Sequence, residues 1–167
     1  MTVRLLNIPH ERFVLVSTVE AAAPAADYAK DKREAEGLAG ALGKKALILR
    51  CGSLLGPGMR PNSLTRMVAR EPLTLAADSR FAWVLYSQVR DFLAVALDRG
   101  LEGTYNLVPR RTATLAEAAA ALGLEPAWGT HRYVSPEADG SAARAVCPAF
   151  ERGALENAVV FMKETTR

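Results

Sequence analysis

The sequence predicts an α/β fold in which a parallel sheet is covered by helices. Two observations carry this expectation. The runs RFVLVST (12–18), with its β-branched residues, and ALILR (46–50) are largely apolar, and strand-like and helix-like patterns follow one another along the chain. A strand with one wet face alternates polar and apolar residues. A strand buried on both faces does not, and short unbroken runs interleaved with helices describe strands packed between helical layers.

Taken in order, RFVLVST reads as a buried strand ending in two hydroxyls, Ser17 and Thr18. AAAPAAD is a small-residue loop, and Asp27 is expected to cap a helix from Tyr28 to Leu42, with Lys44 and Lys45 near its negative end. ALILR is the second buried strand. CGSLLGPGMRPN (51–62), with three glycines and two prolines, is expected to be a loop at a strand's carboxyl end, where open α/β sheets place ligands. SLTRMVAR looks helical, FAWVLY looks like a short strand, and SQVRDFLAVALDRG is a helix with Gly100 just past its end. GTYNLV (103–108) is another strand. TLAEAAAALG (114–123) is a helix capped by Thr114, with Glu117 at the capping-box position. Residues 125–148 loosen into loop with one short strand, and a final helix is expected around 149–164. With no internal repeat or linker, 1–167 reads as a single domain, a sheet-bearing core over 1–108 followed by a helical and loop region over 109–167.

Composition narrows the function. In a chain of 167 residues, 50% hydrophobic and 23% charged, the 21 basic and 18 acidic residues are scattered, and the net charge is only +3. No basic block or RNA-reading aromatic pattern points to nucleic acid. Cys51 and Cys147 are too few and too far apart for a disulfide framework, and His10 and His131 lack ligand-spaced neighbours, so no metal site is expected. A reducing, cytoplasmic setting fits. No apolar run reaches the ~18 residues that span a bilayer, and TVRLLNIPHERF does not resemble a signal peptide, so no membrane association is expected.

The chemistry-bearing stretch is DYAKDKREAE (27–36). Residues four apart share a helix face, so Lys32 stands beside the Tyr28 ring, where an ammonium stabilises the tyrosinate that takes or gives a proton during hydride transfer. Thr18 or Ser17, at the end of the preceding strand, would hold the substrate oxygen. Such spacing also describes an ordinary helix start. Placement favours chemistry: the pair opens a helix directly after a hydroxyl-ended strand, and none of Tyr86, Tyr105 and Tyr133 has a lysine four residues on. Arg60 and Arg66 suit a diphosphate by their guanidinium forks, or are simply exposed arginines. Trp83, in an apolar run, reads as core.

In order and spacing, RFVLVST, DYAKDKREAE, ALILRCGSLLGPG and GTYNLV resemble the extended short-chain dehydrogenase/reductase family, the NAD(P)-dependent sugar-nucleotide epimerases and dehydratases, over roughly residues 3–122. The resemblance implies a partial Rossmann-like sheet with a small carboxyl-terminal substrate-lobe-like region. It implies Thr18 as the hydroxyl on the reacting oxygen, Tyr28 as acid/base, and Lys32 as the residue that activates it and holds the nicotinamide ribose. It also places Cys51, Gly52 and Ser53 beside the nicotinamide of NAD or NADP, and Asn62 where contact with the sugar nucleotide begins. Ser17 and Arg60 complete the expected substrate contacts.

Two departures accompany it. Gly37, Gly40 and Gly43 spell G-x-x-G-x-x-G, but they close a helix and precede a strand, where the dipole repels phosphate; the reading expects the amino-terminal cofactor half to be missing. Tyr86, Ser87 and Gln88 stand where the family has a carboxylate pair that caps and braces the next helix. The expected function is therefore a partial epimerase/dehydratase-like oxidoreductase that needs a complementing chain. The alternative is a non-catalytic binding module, and an open strand edge makes a homodimer the expected partner arrangement.

Overall fold

The computed structural model describes residues 4, 7–41 and 45–165. β1 (Phe13–Thr18), β2 (Ala46–Cys51) and β6 (Gly103–Leu107) form a parallel sheet in the order β1-β2-β6. The register sets Ser17 beside Arg50, Thr18 beside Cys51, and Cys51 beside Leu107, so the carboxyl ends of the three strands come together. Parallel neighbours need a crossover, and α1 (Asp27–Ala41) supplies it between β1 and β2. This is the expected α/β architecture.

The Ala26 carbonyl receives the N–H groups of Ala29 and Lys30, which starts α1. Asp27, expected as the cap, lies in the first turn and binds Lys30 Nζ at 2.9 Å; an acid there still favours the positive end of the helix. The expected helix end at Leu42, the third glycine at position 43, Lys44, and the residues Thr2, Val3, Leu5 and Leu6 of TVRLL lie outside the described residues.

Of the expected loop over 51–62, residues 56–62 are loop, but Cys51 still belongs to β2 and residues 53–55 are strand. The Gly52 N–H donates to the Leu107 carbonyl at 3.0 Å, the Ser53 N–H to the Ala82 carbonyl at 2.8 Å, and β3 (Ser53–Leu55) then pairs in parallel with β5 (Trp83–Leu85). Gly52 is the pivot where the chain exchanges one partner strand for another. A Cβ there would sit 2.2 Å from the Ala82 oxygen, so the close approach demands glycine. FAWVLY divides at Ala82 into β4 (Arg80–Phe81), antiparallel to β7 (Ala113–Thr114), and β5.

α2 (Ser63–Val68), α3 (Tyr86–Asp98) and α4 (Leu115–Leu122) fall where the periodicity puts them, with Gly100 and Gly123 in left-handed conformation after α3 and α4. The Thr114 and Glu117 capping box forms as expected. Gln88 takes over the bracing expected to be lost at the start of α3: it accepts the Leu85 N–H at 2.8 Å and donates to the Ala149 carbonyl at 2.6 Å. Residues 125–148 contain an unexpected helix, α5 (Ser141–Val146), too short to show a period. The last helix is preceded by a separate 3-10 turn at Pro148–Glu151, and α6 spans Ala154–Thr165.

Leu49, Phe92, Leu107 and Phe150 fill the space between the main sheet and α3 and α5, while Leu55, Trp83, Leu115 and Phe161 join β3 and β5 to α4 and α6. Trp83 is core, 2% exposed and stacked on Phe81 at 5.1 Å. Among the described residues no helix is long and apolar enough to cross a membrane.

Candidate active site

Lys32 is the centre of the predicted constellation. Its ammonium stands over the Tyr28 ring, 5.7 Å from the centroid, and donates to the Val16 carbonyl at 2.9 Å, which ties the first turns of α1 to the last residues of β1. Tyr28 itself is 59% exposed, so its hydroxyl is open to a ligand. Thr18 ends β1, and its Oγ1 accepts the Glu20 N–H at 3.3 Å, capping a 3-10 turn at Val19–Ala22. The hydroxyl proton of Thr18 is not used in that bond.

Ser17 does different work. Neighbours on a strand point to opposite faces. Ser17 is buried and donates to Glu36 Oε1 at 2.7 Å, where Arg50 also binds the carboxylate, Nε to Oε1 at 2.9 Å and Nη2 to Oε2 at 2.6 Å. The face that α1 buries is otherwise alanine, at 29, 35 and 39, so this polar lock supplies the specific attachment that a large apolar stripe would give elsewhere. Burial pushes the Glu36 carboxyl up, but the bonds from Arg50 and Ser17 and the charges of Arg50 and Arg33 outweigh it and hold it below its ordinary value. Sequence reading gave no role to Glu36 or Arg50. Their separation of fourteen residues becomes contact only once β1, α1 and β2 are assembled.

The Cys51, Gly52 and Ser53 segment lies at the strand ends as expected. Cys51 is 3% exposed, and burial pushes its thiol up to about 12 against a partial lowering by the Lys32 charge, so the side chain is a packing group. The Gly52 and Ser53 N–H groups are already bonded within the sheet. The Tyr133 hydroxyl donates to Glu20 Oε1 at 2.9 Å; burial first, then Glu20, pushes the phenol up to about 12, which keeps it protonated as a donor beside the end of β1. Nothing in the sequence singles out this second tyrosine, which has Glu137 and not a lysine four residues on.

Asn62 caps α2, its Oδ1 accepting the Leu64 N–H at 2.9 Å and the Thr65 N–H at 3.2 Å. Arg60 is exposed with no ion pair among the described residues, and Arg66 pairs with Glu71 at 3.8 Å. A larger concentration of guanidinium groups lies after β6. A cavity of about 770 Å³ is lined by Arg80, Arg110 and Arg111 together with Glu117, Glu137 and Asp139, and it adjoins one of about 490 Å³ that shares Arg110, Arg111 and Glu117. Val108 and Ala82, which also line the larger one, pack on Val19, the residue after Thr18, which sets the arginine cleft beside the end of β1. Arg110 is held by Glu151 at 3.4 Å, and Arg80 reaches the Thr112 hydroxyl at 3.4 Å. Arg111 has no ion pair among the described residues. The signal in sequence is PRRT directly after a strand.

A nicotinamide dinucleotide is the group that the resemblance implies, and the residues it assigns to the reacting end are Thr18, the last of β1, and Tyr28 and Lys32 in the first turns of α1. No glycine-rich turn between a strand and a helix N-terminus is found among the described residues to receive pyrophosphate, since Gly37 and Gly40 lie inside α1. No group of three His, Cys, Asp or Glu among them is arranged for a metal.

No protein-family model matches the sequence, and no curated protein matches it. Solved structures do match in fold. UDP-glucuronic acid 4-epimerase from Bacillus cereus, in complex with UDP-glucuronic acid and NAD, superposes with a TM-score of 0.70 at 16% identity, over 98% of this chain and 65% of that one. dTDP-glucose 4,6-dehydratase from Bacillus anthracis, in complex with NAD, gives 0.76 at 21% identity over 99% and 67%. Thermus thermophilus UDP-glucose 4-epimerase with NAD gives 0.69 at 22% identity over 92% and 63%. The chain thus spans about two thirds of the length of these enzymes, and its fold is that of the NAD-dependent nucleotide-sugar epimerases and dehydratases.

Proposed function

We propose that this chain carries the proton-transfer helix and the substrate cleft of an NAD(P)-dependent epimerase- or dehydratase-like oxidoreductase, acting on a nucleotide-activated sugar once a dinucleotide-binding segment completes it. The observation that supports the reading most is the Lys32 ammonium, which stands over the Tyr28 ring and bonds the Val16 carbonyl of β1, the strand that ends in Thr18. A bound nicotinamide supplies the hydride acceptor. The Thr18 hydroxyl donates to the substrate oxygen and orients it. The Tyr28 oxygen takes the proton from the substrate alcohol as its carbon is oxidised, and returns it on reduction. Lys32 stabilises the negative phenolate by its positive charge. Arg80 and Arg111 bind the diphosphate through charge-assisted forks and hold the sugar at the end of β1.

In the chain joined to a dinucleotide-binding segment, Tyr28→Phe lowers kcat by about 10²- to 10⁴-fold with KM unchanged, the loss expected for removing one acid/base. Lys32→Ala lowers both kcat and cofactor affinity. Turnover by Tyr28→Phe at the unaltered rate would remove Tyr28 from the chemistry. A second reading, as a binding module without turnover, is favoured by the bond that Lys32 makes to Val16, which directs the ammonium to the backbone.

A further inference from the structure

Tyr133 is bonded both to an arginine of the cleft and to the turn that follows β1. Its backbone is zipped to β4: the Arg80 N–H donates to the Tyr133 carbonyl at 2.8 Å, the Tyr133 N–H to the Ser79 hydroxyl at 3.1 Å, and the Ser135 N–H to the Arg80 carbonyl at 2.9 Å. Arg80 lines the cleft, so the main chain of a cleft arginine is held by the segment that carries Tyr133. The ring is fixed as well. It packs on Phe81 at 4.9 Å, and Phe81 stacks on the buried Trp83 at 5.1 Å. The hydroxyl then donates at 2.9 Å to Oε1 of Glu20, a residue 113 positions earlier in the chain.

Glu20 in turn gives its N–H to Thr18 Oγ1 at 3.3 Å. A threonine hydroxyl that accepts from the backbone turns its own proton away from that N–H, so a fixed Glu20 gives the Thr18 proton a fixed direction. The turn is a 3-10 turn of four residues, and its capping bond is long. Such a turn has poor hydrogen-bond geometry of its own, and the anchored Glu20 carboxylate supplies the restraint it lacks. The phenol, pushed up to about 12 by burial first and then by Glu20, remains a donor across the neutral range.

We propose that Tyr133 is a positioning residue: through Glu20 it holds the turn that aims the Thr18 hydroxyl, and through Arg80 it links that aim to occupancy of the cleft. The proposal rests on the reading of Thr18 as the group that orients the substrate oxygen. A diphosphate gripping Arg80 restrains β4, β4 restrains Tyr133 through the bonds above, and the Tyr133 hydroxyl restrains Glu20. The contacts are continuous from the cleft to Thr18.

Nuclear magnetic resonance on the 167-residue chain, free and with saturating UDP-glucose, tests it through two readouts. These are the protection of the residue 20 amide from hydrogen exchange, and the Thr18 χ1 rotamer from three-bond couplings to its methyl carbon. The unaltered chain is expected to show one Thr18 rotamer and a protected Glu20 amide whose exchange UDP-glucose slows further. Tyr133→Phe keeps the ring packing, the protection of β1 and β2, and the affinity for UDP-glucose. Its Glu20 amide is expected to exchange about tenfold faster, the loss of one hydrogen bond to a charged group, with averaged Thr18 couplings and no further slowing by the ligand. Glu20→Gln, which retains an acceptor oxygen for the phenol, behaves as the unaltered chain. Glu20→Ala reproduces the averaged Thr18 couplings independently of how Tyr133→Phe folds. A folded Tyr133→Phe with a single Thr18 rotamer and unchanged Glu20 protection overturns the proposal, as does slowing by UDP-glucose that persists in that variant. An unaltered chain that binds no UDP-glucose defeats the substrate reading and the link to the cleft, while the ligand-free comparison still decides whether Tyr133 aims Thr18.

Discussion

Glu36 and Arg50 meet in a two-pronged ion pair, 2.9 Å and 2.6 Å, that fastens α1 to β2 beneath the helix turns carrying Tyr28 and Lys32. The Glu36 side chain is 5% exposed and that of Arg50 15%, so removing one partner strands the other away from water. Glu36→Gln is expected to destabilise the fold by about 3 kcal/mol, and Ser17→Ala by about 1 kcal/mol, both read from urea unfolding midpoints.

The pair also sets a pH dependence. The Glu36 carboxyl is held below its ordinary value of 4.5 in the folded protein, so on acidification the unfolded chain binds the proton first. The contribution of Glu36 is therefore complete above that ordinary value and is lost as pH falls through the depressed one. Unfolding measured from about pH 6 down to about pH 3 should show a steeper loss in the unaltered protein than in Glu36→Gln. Parallel curves would show that Glu36 is not held ionised.

The glycines separate by what surrounds them. A Cβ at Gly37 or Gly40 meets nothing within 4 Å, and both lie inside α1, so alanine at either should raise stability by about 0.5–1 kcal/mol and leave nucleotide binding unchanged. At Gly52 the Cβ would strike the Ala82 oxygen at 2.2 Å, and alanine there should lower the thermal midpoint sharply. A selective loss of nucleotide binding in Gly40→Ala would show the glycine triplet to be a phosphate cradle after all.

Cys51 should resist alkylation. Its thiol is pushed up to about 12 and is 3% exposed, so iodoacetamide at pH 8 should label it only after unfolding. Rapid labelling of the folded protein would place Cys51 at an accessible, activated position.

How far the sequence discloses this molecule depends on the range of each interaction. β1, α1, β2 and the Thr114 cap are legible because their signals are local: apolar runs, a helix opening, and a hydroxyl three residues before a glutamate. β3 is not, since a strand of three residues between Gly52 and Gly56 is hidden by its own punctuation. Nor is the Glu36, Arg50 and Ser17 lock, because an acid on a charged helix looks solvated until β2 brings an arginine beneath it. The site divides likewise. Tyr28 and Lys32 announce themselves by spacing, whereas Arg80 and Arg111 converge only through the pairing of β4 with β7 and the turn after β6.

Calorimetric titration of the purified 167-residue chain with UDP-glucose, and separately with NAD, tests the central claim most directly: a substrate cleft and proton-transfer helix with no pyrophosphate turn among the described residues. The account predicts that UDP-glucose binds and that Arg80→Ala combined with Arg111→Ala abolishes the heat, while NAD binds no tighter than the millimolar range. Micromolar affinity for NAD, with no binding of UDP-glucose, would contradict it.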